Sequence, residues 1–182
     1  MKRKLISFVV ICLSLFIVGC GMKMTAKDVA IEYMEMYRNK DNVIMDELDD
    51  YVNNEDLTDS QKELYYDILE REYSTLMYEV TDERYEGDVA FITMDVTVID
   101  LYKSQKEAAE YFNEHQDEFN DEDGKYDKKL FVDYKLDKMS KQLDTITYTI
   151  DIKVVKEDDT WKVVQLSNES LEKIHGIYNY EE

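Results

Sequence analysis

Between Ala90 and Ile99 the chain alternates without a break, with Ala90, Ile92, Met94, Val96 and Val98 set against Phe91, Thr93, Asp95, Thr97 and Ile99. A period of two sends successive side chains to opposite faces of a strand, so one aliphatic set and one polar set describe a sheet buried on a single side. Ile146, Tyr148, Ile150, Ile152 and Val154 repeat the pattern against Thr147, Thr149, Asp151 and Lys153. Each run has a companion nearby. Leu76, Tyr78 and Val80 precede the first across the turn Tyr85-Glu86-Gly87-Asp88, and Glu157 to Thr160 turn the second into Trp161 to Leu166. Two antiparallel hairpins are predicted.

Elsewhere the apolar period is that of a helix. Thr25 caps a first helix to about Asn39, with Ala26, Val29, Ala30, Tyr33 and Tyr37 as its stripe. A second is predicted from Asn42 to Val52 through Ile44, Leu48 and Tyr51, and a third starts at Thr58 or Asp59 and carries Leu64, Tyr65, Ile68 and Leu69. Between the hairpins, Ser104 is read as the cap of a helix to about Phe119, and another runs from Tyr126 to Leu143. Asn168 or Ser170 caps a last helix bearing Leu171, Ile174 and Tyr178. Helices, a hairpin, helices and a second hairpin make an α+β domain with an antiparallel sheet.

The first residues form three successive signals. Lys2, Arg3 and Lys4 are cationic, Leu5 to Phe16 are apolar apart from Ser7, Cys12 and Ser14, and Ile17-Val18-Gly19-Cys20 closes the run. That is the order of a secretory signal peptide, and the apolar stretch is short of the roughly 20 residues that span a bilayer. The last four residues resemble the lipobox of bacterial lipoproteins, with Val18 bulkier than the usual Ala or Ser. The resemblance implies cleavage before Cys20, with Ile17, Val18 and Gly19 as the recognition residues for the signal peptidase. It also implies diacylglycerol on the Cys20 thiol, and two acyl chains suffice for stable anchoring.

The expected organisation is therefore a signal peptide over 1–19, a lipidated Cys and short tether over 20–24, and one domain over 25–182. The expected location is the extracytoplasmic face of the cell membrane.

The segment Tyr78 to Leu101 (YEVTDERYEGDVAFITMDVTVIDL), the two-helix insert and the stretch Thr145 to Ile174 together resemble a known fold. It is the cystatin-like α+β fold of nuclear transport factor 2 and its relatives, as carried by lipoproteins of low-GC Gram-positive bacteria. The resemblance implies helices packed on a curved sheet that leaves a cone, and no agreed activity comes with it.

Charge narrows the partners. The formal net charge is −20, and loss of residues 1–19 removes three cations and no acid, taking it to −23. Such a surface repels phosphate, which argues against nucleic acid and favours a cationic protein or peptide, with a cell-wall ligand as the other expectation. Cys12 leaves with the signal, so Cys20 has no disulfide partner.

Catalytic signals are few. His115 and His175 are 60 residues apart, which is no zinc spacing, and neither lies in a nucleophile elbow. Asp121, Asp123 and Gly124 fit the third, fifth and sixth positions of a calcium loop, but Phe119 and Leu130 then fall where carboxylates are essential. No metal and no cofactor are expected. His115 lies on the stripe Ala108, Phe112, His115, Phe119 and is expected to face inward, as a general base at the mouth of the cone or as a structural histidine. His175 has the same two readings. Asp95 and Asp151 sit mid-strand among threonines, as acids inside a cone, on the solvated side since the other face is aliphatic, or on a dimer or partner surface. The leading expectation is a non-enzymatic binding module. The alternatives are an isomerase, dehydratase or hydrolase working in the cone, and a structural or assembly role.

Overall fold

The structure is a computed structural model that describes residues 24–181. The expected signal peptide, the expected recognition residues Ile17, Val18 and Gly19, and Cys20 lie outside the described residues. Six helices and four strands follow in the order α1 (Ala26–Arg38), α2 (Asn42–Asn53), α3 (Asp59–Thr75), β1 (Met77–Glu86), β2 (Val89–Ile99), α4 (Leu101–Glu114), α5 (Lys128–Lys141), β3 (Thr145–Glu157), β4 (Thr160–Val163) and α6 (Asn168–Ile174). A 3₁₀ turn over Gln116–Phe119 joins α4 to the loop before α5. The architecture is α+β.

Local chemistry sets the helix starts. Thr25 and Asp28 form a reciprocal capping box at α1, and Thr58 with Gln61 does the same at α3. Three starts differ from the expectation. Asp100, the residue after β2, caps α4 by accepting from the Lys103 N–H, so Ser104 is inside the helix and buried. The Asp127 carboxylate accepts from the Lys129 N–H and delays α5 to Lys128, and Ser167 caps α6 in place of Asn168 or Ser170. The helix expected to reach Phe119 stops at Glu114, because His115 leaves helical geometry at φ −131° and ψ 37°.

The sheet is a four-stranded antiparallel meander in the order β1-β2-β3-β4. Strand β1 continues through Tyr85 and Glu86, so the first turn has only Gly87 and Asp88 at its centre, and Gly87 takes the positive φ of 64° that such a hairpin demands. In the second hairpin Asp158 and Asp159 both have positive φ, 49° and 63°, as a type I′ turn requires.

Register in β1 changes once. Val80 lies opposite Met94 but Asp82 lies opposite Thr93, so Thr81 is an extra residue, a β-bulge. Its effect is to exchange the faces of everything after it. Tyr85 turns to the helix-covered face, where its ring lies 6.1 Å from that of Trp161 on β4. Flat strands about 4.8 Å apart would separate the two edge strands by roughly 14 Å, so the two rings reach toward each other across β2 and β3.

The covered face holds the core. Ile92, Met94, Val96, Val98, Ile150, Ile152 and Val154 pack with Ala26, Ala30, Met34 and Tyr37 of α1 and with Ile68, Leu69 and Tyr73 of α3. Each such aliphatic side chain is worth roughly 1.5–3 kcal/mol when fully buried. The short helix α2 adds Ile44, Leu48 and Val52 to the same core. Helices α4 and α5 pack on each other around Phe112, Phe119 and Phe131, and α5 meets α3 while α4 meets the C-terminal segment at Gly176 and Glu181. Arg71 of α3 makes that join, donating to the carbonyls of Ser140, Met139 and Gln142 at the end of α5.

Candidate functional site on the open face of the sheet

The face of the sheet turned away from the helices is ordered in rungs, because antiparallel partners point their side chains the same way. Met77, Thr97 and Thr147 form the first rung, Glu79, Asp95 and Thr149 the second, and Asp82, Thr93 and Asp151 the third. Arg84, Phe91 and Lys153 form the fourth. All these β1 and β3 positions are exposed, and the β2 positions between them are half-buried by their neighbours. The bulge at Thr81 is what brings Asp82 and Arg84 onto this face.

Hydrogen bonds run across the strands within the rungs. Thr97 and Thr147 hydroxyls lie 2.8 Å apart, Thr149 donates to Asp95 at 2.7 Å, and Thr93 donates to Asp151 at 2.7 Å. These bonds fix the two carboxylates at the middle of the face. Asp95 and Asp151, weighed above as acids in a cone or as solvated groups, thus stand on the side opposite the core.

The charges on this face are unbalanced. Glu79 is directly opposite Asp95, and Asp82 and Asp151 flank Thr93. Like charges in direct cross-strand pairs are destabilising by some tenths of a kcal/mol. Elsewhere lysines are spent on neighbouring acids, as in Lys27–Glu83, Lys103–Asp144, Lys106–Glu181 and Lys128–Asp56. Among the described residues no ion pair reaches Glu79, Asp82, Asp95 or Asp151 within 4.0 Å. One rung away the sign reverses, with the Arg84 guanidinium 4.6 Å from the centre of the Phe91 ring.

The histidines are in opposite situations, and neither lines an interior site. His115, expected to face inward, is exposed where α4 ends. Its ring stacks on Tyr111 at 4.1 Å, and its Nδ1 is 3.5 Å from Glu118. The cause is the early end of α4, which takes His115 off the stripe that Ala108 and Phe112 define. It borders a shallow hollow of about 440 Å³ whose lining, Asn113 to Glu118, is one continuous stretch of chain. Among the described residues no distant part of the chain brings a group to it.

His175 is instead buried, with Nε2 2.8 Å from the Tyr73 hydroxyl, and burial lowers its pKa to about 4. Beside Tyr73, Glu72 is fully buried, accepts from the Ile99 N–H at 2.7 Å and leaves its other oxygen without a partner. Burial raises its pKa to about 8. Sequence reasoning passed over Glu72, whose only signal was its place beside the apolar stripe of α3.

In the loop before α5, the Asp121 carboxylate accepts from the backbone N–H groups of Asp123 and Lys125, closing its own turn. Among the described residues no group of three or more His, Cys, Asp or Glu side chains is arranged to hold a metal ion. Among them, too, no helix is long and apolar enough to cross a membrane.

No protein-family model matches the chain, and no curated protein matches it. Among solved structures it is similar to a candidate lipoprotein of Bacillus subtilis, YcdA, with 12% sequence identity and a TM-score of 0.42. The similarity covers 74% of this chain and 44% of that one, so this chain spans less than half the length of that protein.

Proposed function

We propose that the chain is a lipid-anchored, extracytoplasmic binding module that works through the open face of its sheet and performs no catalysis. Residues 1–19 are the signal peptide and Cys20 carries the lipid. The domain over 25–182 is a variant of the cystatin-like cone in which the interior is packed with side chains. The observation that carries the reading is the contrast between the two faces. Ile92, Met94, Ile150 and Ile152 fill the covered face, each at most 3% exposed. The opposite face presents ordered, unneutralised carboxylates to solvent. A site for chemistry inside the sheet needs room and convergent polar groups, and the covered face offers aliphatic side chains there. The acidic balance of the whole chain favours cationic partners through long-range attraction.

The experiment has two parts. Mass analysis and membrane fractionation of the native chain and of Cys20→Ser test the anchor, with loss of the lipid mass and release or retention as precursor as the expected result. Unchanged mass and extraction overturn it. A photo-reactive residue placed at Thr149 in the membrane-held protein tests the face. Light-dependent adducts of discrete mass at Thr149, with none from the same probe at Glu63 on α3, support it. Equal yields from the two positions overturn it.

A further inference from the structure

We infer that the occupant of the open face is a cationic, amphipathic helix laid along β2 and β3 in one direction, an assignment that rests on the binding-module reading above. Backbone N–H and C=O groups lie in the plane of a sheet and meet neighbours only along its edges, so a partner laid on the open face of β2 and β3 meets side chains. Contact must be through side chains. Rungs on one face of a strand recur about every 6.8 Å, and residues four apart on a helix are about 6 Å apart along its axis. Two cations at i and i+4 therefore meet the two acidic rungs, Glu79 with Asp95 and Asp82 with Asp151.

The ends of the face supply polarity. At one end Met77 is 61% exposed, which asks for an apolar side chain on the partner. At the other end Arg84 and Lys153 meet whatever follows the cations. A helix carries partial negative charge at its C-terminus, so the partner's C-terminal end lies over Arg84 and Lys153 and its apolar end over Met77. From the Met77 rung to the Arg84 rung β2 advances six residues, Thr97 to Phe91, or about 20 Å. That is the length of a helix of roughly thirteen residues.

The test uses the full-length lipidated protein in detergent micelles and two labelled synthetic peptides. One has apolar residues in its first turn, lysines at i and i+4 in the middle and a free C-terminal carboxylate. The other has the same residues in reverse order. The forward peptide is expected to bind about ten-fold more tightly than the reversed one, and more weakly as salt rises. Asp95→Asn with Asp151→Asn keeps an oxygen for each threonine and is expected to remove about ten-fold of that affinity. Asp46→Asn with Asp50→Asn on the exposed side of α2 should change it less than about two-fold.

Equal binding of the two peptides, or equal losses from the two pairs of substitutions, overturns the proposal in favour of undirected charge attraction. If neither peptide binds while the Thr149 adducts persist, the helical partner is wrong and the binding-module reading stands. If those adducts are also missing, both are wrong.

Discussion

The Tyr73 hydroxyl and the Nε2 of His175 meet 2.8 Å apart in the core, joining α3 to the residue that ends α6 across 102 positions of the chain. The contact fastens the C-terminal segment to the domain. Tyr148 donating to the Tyr178 carbonyl, Tyr180 donating to Asp100 and the Lys106–Glu181 ion pair continue that attachment outward.

Acid should loosen this attachment. His175 has its folded pKa lowered to about 4 from an ordinary 6.5, so the folded state binds fewer protons than the unfolded one between those values. Stability is retained above pH 6.5 and falls as pH drops toward 4, by on the order of 3 kcal/mol for this group. Urea midpoints for the native chain and His175→Gln between pH 7 and 4 check it. The variant should begin less stable and lose less on acidification.

Alkali acts through Glu72 in the opposite sense. Its folded pKa is raised to about 8 from 4.5, so the folded state holds a proton that the unfolded state gives up in that interval. Its contribution is present below pH 4.5 and is lost as pH rises through 8. Glu72→Gln keeps the oxygen that accepts from Ile99 and cannot ionise. The variant should match the native chain near pH 5 and exceed it at pH 9 by on the order of 4 kcal/mol, read from denaturant midpoints.

Gly176 should be the least replaceable of the three positive-φ glycines. A Cβ there would lie 2.1 Å from the Ile99 carbonyl oxygen, whereas at Gly87 and Gly124 nothing lies within 4 Å. Gly176→Ala is expected to cost more than about 3 kcal/mol, combining a backbone clash with left-handed strain. Gly87→Ala and Gly124→Ala carry the strain alone, about 1 kcal/mol each. Thermal melts of the three variants give the order.

Arg71→Lys should loosen α4 and α5 without unfolding the sheet. The guanidinium spreads over three carbonyls at the end of α5, a geometry that an ammonium cannot copy. Amide hydrogen exchange is expected to rise across α4 and α5 by about ten-fold, corresponding to roughly 1.4 kcal/mol of local stability, with β2 and β3 unchanged.

The strands were legible because one-sided burial writes its period directly into the residues, and the aliphatic face from Ala90 to Val98 is the buried face in the structure. Helix starts were less legible, since capping depends on which carboxylate the preceding strand delivers. Asp100 occupies the cap expected of Ser104. The bulge at Thr81 escaped notice, though Val80 and Tyr85 are an odd number of residues apart and both point to the covered side. For the same reason Asp82 and Arg84 were not expected on the open face. Asp95 and Asp151 were in view, but pairing them with Glu79 and Asp82 required the register. His115 misled because its stripe assumed an uninterrupted helix.

The two hairpins close over turns of two residues, yet their shared seam, β2 with β3, pairs across eleven positions after an excursion through α4 and α5. Each hairpin can therefore form early and alone, while the seam waits for a long loop to shut. Because the entropy of shutting a loop grows only as the logarithm of its length, α4 and α5 can gain or lose residues at small thermodynamic cost. Variation in that insert is where descendants of this domain could diverge without disturbing the sheet.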